Sequence, residues 1–157
     1  MKIFSLVNWL AKIKTIAVMS VIALSFPAVA MAIPTSTRLA QASTTDQNFL
    51  NDLYSFLHSQ DAIAYHLAIK ADVQENLIPN IAFAQAICFD IANGIEAEEN
   101  YNLVMSDIST MASGMDQLAR EEILYSASLY FGTVMNLGSA YYCPEYQAEI
   151  VQFLSTQ

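Results

Sequence analysis

The sequence predicts an all-α fold, a small bundle of four to six helices, on three observations. Apolar residues from about Thr45 onward recur at threes and fours, the spacing that lines one face of a helix. No sustained alternation of apolar and polar residues with turn punctuation occurs, so a sheet has no support. Pro79, Gly94, Gly114 and Pro144 divide the periodic stretches into pieces of ordinary helical length. The chain has 157 residues, only four Pro and four Gly, and no biased tract. That is one domain at most, and neither a disordered nor a collagen-like chain.

The first 32 residues predict a targeting segment rather than a bundle element. Lys2, Lys12 and Lys14 precede an apolar run from Thr15 to Phe26, followed by Pro27 and the small-x-small sites Ala28-Val29-Ala30 and Ala30-Met31-Ala32. A basic head, a short apolar middle and small residues at the exit are what a secretory signal peptide requires, with cleavage after Ala30 or Ala32. The alternative is an uncleaved anchor, because Thr15–Thr37 carries no charge, although Pro27 and Pro34 interrupt it. Residues 33–45 are small and polar and predict a flexible mature N-terminus.

The helices follow in order. Phe49, Leu50, Leu53, Phe56 and Leu57 share one face of a helix over about 46–58, with Thr45 as its expected N-cap and Asp46 in its first turn. Ser59 and Asp61 offer a restart, and Ile63, Leu67, Ala68 and Ile69 continue with helical spacing to about Asp72. Pro79 is tolerated only in a first turn, so a new helix runs from Asn80 to Asn93 and Gly94 caps it. This segment is apolar around most of its circumference and is expected at the centre of the domain.

Glu96, Glu98 and Glu99 open a fourth helix at the positive end of its dipole, with Leu103, Val104 and Ile108 expected inward. A loop over Ser109–Gly114 leads to the longest helix, through Leu118, Ile123, Ala127, Tyr130, Phe131, Val134, Leu137 and Tyr141 up to Cys143. After Pro144 a last short helix spans Glu145 to Leu154.

Charge and cysteines bound the function. The chain has six Lys and Arg against 15 Asp and Glu, and removal of the leader takes three of the basic residues and none of the acids. The mature chain then carries a net charge of −12. No basic stripe remains to neutralise phosphates, which excludes nucleic acid as a partner, and the surface repels anionic lipid. Cys88 and Cys143 are the only cysteines. In the oxidising compartment that export implies, a structural disulfide is favoured over a redox dithiol, which wants Cys-x-x-Cys spacing. Such a bridge would close a loop of 55 residues.

Phe49-Leu50-x-x-Leu53, Ala84-x-x-Ile87-Cys88-x-x-Ile91-x-x-Gly94 and Ala140-Tyr141-Tyr142-Cys143-Pro144 together resemble the family called domain of unknown function 732, small exported bacterial proteins. The resemblance covers about residues 46–147. It implies an all-helical exported domain with a disulfide joining the two matched cysteines and no established activity. The segment between Gly94 and the last long helix is longer than that family's pattern, and Ile87 stands where it usually has Val.

Chemistry-bearing candidates are few. His58 and His66 are the only histidines, eight apart with Asp61 and Tyr65 nearby, and on one continuous helix they would share a face as metal or haem ligands. No third ligand follows at metal-site spacing, so neither a metal nor another cofactor is expected. Glu98-Glu99 and Glu121-Glu122 are adjacent pairs whose side chains diverge on a helix, so neither makes a catalytic dyad. No nucleophile elbow, phosphate loop or dinucleotide motif occurs. The expectation is an exported, periplasmic or secreted, non-catalytic helical domain acting by protein or envelope contact. The alternative is a carrier of a small apolar ligand or haem, suggested by eight Tyr, eight Phe and seven Met.

Overall fold

A computed structural model describes residues 43–73 and 79–157. The expected leader with its cleavage sites at Ala30 and Ala32, and positions 33–42, lie outside the described residues. Six α-helices and no strand occur among those described: α1 (Thr44–Gln60), α2 (Ala62–Val73), α3 (Asn80–Ala92), α4 (Ala97–Met111), α5 (Gln117–Tyr142) and α6 (Gln147–Leu154). Single 3₁₀ turns, Ala112–Gly114 and Pro144–Tyr146, join the last three. The protein is a small all-α bundle.

Local chemistry places most of the boundaries. The N-cap of α1 is Ser43, not Thr45: the Ser43 hydroxyl accepts from the Asp46 amide at 3.1 Å, and the Asp46 carboxylate accepts from the Ser43 amide at 3.0 Å. This reciprocal capping box satisfies two otherwise orphaned donors, where a cap at Thr45 would satisfy one. Helix therefore begins at Thr44, inside the stretch expected to be flexible. Asp61 separates α1 from α2, its carboxylate accepting from the amides of Ile63 and Ala64 at 2.9 and 2.7 Å. Gly94 closes α3 at φ +88°, a backbone that L side chains rarely adopt. The expected loop from Ser109 is shorter in fact, because α4 continues through Met111 and the 3₁₀ turn completes the link.

The hub is α5, which packs against every other helix of the bundle. This corrects the placement of α3 at the centre: Phe89 on its outer face is 61% exposed, and only Ala84, Ile87, Cys88 and Ile91 form its buried stripe with Asn80. Two further expectations fail in the same way. Leu103 and Leu118 are exposed, and α4 instead turns Ala97 and Tyr101 inward. Two clusters fill the core. The larger joins Phe49, Leu50, Leu53 and Leu57 of α1 to Ala64, Ala68, Ala84, Tyr130 and Val134. The smaller joins Ile87, Ile91, Ala97, Tyr101, Met135 and Ile150.

The approach of α3 to α5 is set by Gly138. A Cβ there would stand 2.7 Å from the Cβ and 3.3 Å from the Cα of Ala84. Alanine in a helix interior normally gains about 1 kcal/mol over glycine, but here overpacking costs more, because the obstructing atoms include backbone. Gly138→Ala is expected to destabilise the protein by about 1–3 kcal/mol. Gly132 is the control: its Cβ would meet only the Leu154 Cδ2 at 3.5 Å, so Gly132→Ala is expected to be neutral or stabilising. Denaturant midpoints at unchanged slope check the opposite signs.

Candidate functional site

Two constellations are built from residues of several helices: a disulfide node and a buried polar bridge. In the first, Cys88 on α3 and Cys143 at the C-cap of α5 are bonded, with S–S 2.00 Å and Cα–Cα 5.8 Å. Both are buried. The end of α5 is also tied to α1. The ring of Phe49, fully buried, meets Tyr141 and Tyr142 edge-on, with centroids 6.1 and 5.4 Å away. The Tyr141 hydroxyl donates to Asp52 at 2.5 Å and the Tyr142 hydroxyl donates to Asp46 at 2.9 Å.

Asp46 thus caps α1 with one oxygen and anchors α5 with the other. Slight desolvation raises its carboxyl pKa, and the hydrogen bonds from Tyr142 and Ser43 outweigh that, leaving it below the ordinary value of 3.8. The Tyr142 phenol is pushed well above its ordinary value, first by burial and then by the adjoining Asp46. It therefore remains a proton donor to Asp46 across the physiological range.

The second constellation lies where α2, α3 and α5 meet. Asn80, fully buried, donates through Nδ2 to the Ala68 carbonyl at 2.9 Å and accepts through Oδ1 from the Tyr130 hydroxyl at 2.5 Å. Its own amide donates to Asp72 Oδ1 at 3.2 Å. One side chain thereby satisfies a carbonyl of α2 and a buried phenol of α5, and Asp72 takes an orphan donor in the first turn of α3. The other carboxyl oxygen of Asp72 is buried with no hydrogen-bond partner. Burial raises the Asp72 pKa above the ordinary 3.8, and its bonds to Asn80 only partly offset that. The Tyr130 phenol is pushed up by burial and then by the charge of Asp72.

Folded Asp72 holds its proton more tightly than the unfolded chain does. Its contribution to stability is present in full below about pH 3.8 and is lost as pH rises through the folded value. Asp46 behaves oppositely, its contribution being present above that pH and lost as pH falls through its lowered value. Asp72→Asn, which keeps the acceptor for the Asn80 amide, is expected to raise the melting temperature at about pH 7 and to flatten its decline from about pH 4 to about pH 7. Calorimetry of both chains across that range checks it, and a parallel decline in the two would assign the effect to other carboxyls.

The histidines do not share one helix. Asp61 breaks the continuous helix on which they would share a face, so exposed His58 ends α1 and exposed His66 lies on α2. The His58 ring stands edge-on to Tyr65, centroids 5.0 Å apart. Among the described residues no group of three His, Cys, Asp or Glu is placed to hold a metal ion. The Glu98-Glu99 pair lies with Glu96, Asn102, Leu103 and Ser106 along an open groove on the outer face of α4. A cavity between α3, α4 and α5 measures about 20 Å³ and is lined by Phe83, Ile87, Asn100, Tyr101, Val104, Phe131 and Met135. That is room for a single water, for which the unpartnered Asn100 Nδ2 is a donor.

The polar bridge is what sequence reasoning missed. Its signal was Asn80, a polar residue directly after Pro79 at the head of an otherwise apolar helix, but its partners at positions 68 and 130 are separated from it by 12 and 50 residues. Among the described residues no helix is long and apolar enough to cross a membrane. Comparison of the chain with protein-family models, with curated proteins and with solved structures finds no match.

Proposed function

We propose that this chain is an exported, non-catalytic helical domain, stapled by its disulfide, that acts outside the cytoplasm through protein or envelope contact. The observation that carries the reading is the buried Cys88–Cys143 bond, which joins two helices far apart in sequence and is of the kind that persists in oxidising compartments. The basic head, apolar run and small-residue exit of the first 32 residues support the same destination. Kinship with the domain of unknown function 732 family is part of the proposal. Its support is that the three motifs supply Phe49, Ala84, Cys88, Tyr141, Tyr142 and Cys143, which meet around one end of α5.

The two constellations support a scaffolding role for their residues. Asn80, Tyr130, Tyr141 and Tyr142 each hydrogen-bond across two helices, and the cavity between α3, α4 and α5, at about 20 Å³, is too small for an apolar ligand. The carrier alternative therefore draws no support from the packing of the described residues.

The test is the intact mass of the protein recovered from the exported fraction of its own cell, alkylated with and without prior reduction. The expected result is a chain beginning at Met31 or Ile33 whose two thiols react only after reduction. A full-length chain with free thiols would overturn the reading. A haem and apolar-ligand thermal-shift series on the same material separates the carrier alternative, since a bound ligand raises the melting temperature with its concentration.

A further inference from the structure

Asn93 and Gly94 form the one Asn-Gly pair in the chain, and both are exposed at the C-terminal end of α3. An asparagine amide is open to attack by the backbone nitrogen of the next residue. That nitrogen is least hindered when the next residue is glycine, and here nothing lies within 4 Å of the place a Gly94 Cβ would occupy. The sequence and the open surface therefore supply the two reactants side by side.

The fold holds them apart. Asn93 Nδ2 donates to the Phe89 carbonyl at 2.7 Å, which turns the side-chain amide back along α3 and away from the following residue. The attacking nitrogen is itself engaged, Gly94 N–H donating to the Ile91 carbonyl at 2.9 Å. The Ile95 amide closes the cap on the Asp90 carbonyl at 3.0 Å. With ψ near 8°, Asn93 directs the Gly94 nitrogen into the helix end rather than toward its own Cγ. Opening this last turn breaks all three bonds and frees both groups at once, and cap turns are among the first parts of a fold to open.

We propose that Asn93–Gly94 is a spontaneous deamidation site gated by the C-cap of α3. In the open cap the Gly94 nitrogen loses its proton and bonds to Asn93 Cγ, the Cγ–Nδ2 bond breaks, and ammonia leaves to give a succinimide. Water then opens either carbonyl of the ring, giving aspartate or isoaspartate at position 93. No oxidant or reductant is required. The aspartate form places a negative charge at the negative end of the α3 dipole and loses the donor to Phe89. The isoaspartate form adds a backbone carbon inside the turn that Gly94 closes. Both products weaken the return of the cap at the end of the helix that carries Cys88.

The experiment incubates the purified oxidised chain, and in parallel the reduced chain in guanidinium, at mildly alkaline pH in ¹⁸O-labelled water, with peptide mapping over time. The expected result is conversion at position 93 with one solvent oxygen incorporated and a mixture of aspartate and isoaspartate. It should be at least about tenfold slower in the folded chain than in the unfolded one and abolished by Asn93→Gln. Absence of conversion at position 93 in the unfolded chain, or conversion there no faster than at Asn51, Asn100, Asn102 and Asn136, would overturn the site. Equal rates in folded and unfolded chains would overturn the gating by the cap.

Discussion

Truncation of Phe49 to alanine is expected to cost about 3–5 kcal/mol of stability, the largest effect of any core truncation in the bundle. Phe49 has no exposed surface, and its ring stands edge-on to both Tyr141 and Tyr142. The loss therefore combines the transfer of a whole aromatic side chain, the cavity left behind and two favourable ring contacts. The cavity cannot close cheaply, since the residues around it are held on both sides. Tyr141 and Tyr142 are tethered to Asp52 and Asp46 of α1, and the following Cys143 is bonded to α3. Phe49→Leu fills most of the volume without the rings and is expected to fall between the two. Urea denaturation of the three chains measures it, and a loss below about 1.5 kcal/mol for Phe49→Ala would mean that the α1–α5 contact rearranges.

Removing the disulfide, by replacing Cys88 and Cys143 together with alanine, is expected to cost about 4 kcal/mol. The bond closes a loop of 55 residues, and the chain-entropy account gives that figure for such a length. This is a large part of the stability of a domain of this size. The expected signature is a lowered denaturant midpoint with a reduced contribution from denatured-state constraint, seen as a change in slope between the oxidised and disulfide-free chains. The single variants Cys88→Ala and Cys143→Ala should lose as much as the pair. A midpoint unchanged in the double variant would show that helix packing alone holds α3 to the end of α5.

The limits of the sequence reading follow from the range of the interactions involved. Helix ends were legible where a local rule acts alone, as at Pro79, Gly94 and Pro144. At α1 two rules competed, and the reciprocal bond between Ser43 and Asp46 placed the cap two residues before Thr45. The disulfide was legible because two cysteines admit one pairing. Leu103 and Leu118 were read inward because periodicity marks a stripe without saying whether a neighbour exists to cover it. Both are exposed in the bundle. The bridge through Asn80 was beyond reach, since its geometry exists only once α2, α3 and α5 have met. The two histidines lie on separate helices for a local reason, the break at Asp61, which was itself visible as a restart.

The position of α5 in the chain has a consequence for the order of events in folding. All the earlier helices pack on it, yet it begins only at Gln117. A chain that emerges amino end first presents α1 to α4 before their common partner exists. Those helices can pair only with one another, α1 with α2 above all, until α5 has appeared. Closure then comes as one late, long-range event, which is slow by comparison with local pairing. A chain whose common partner follows the helices that pack on it keeps their apolar faces uncovered until that partner arrives.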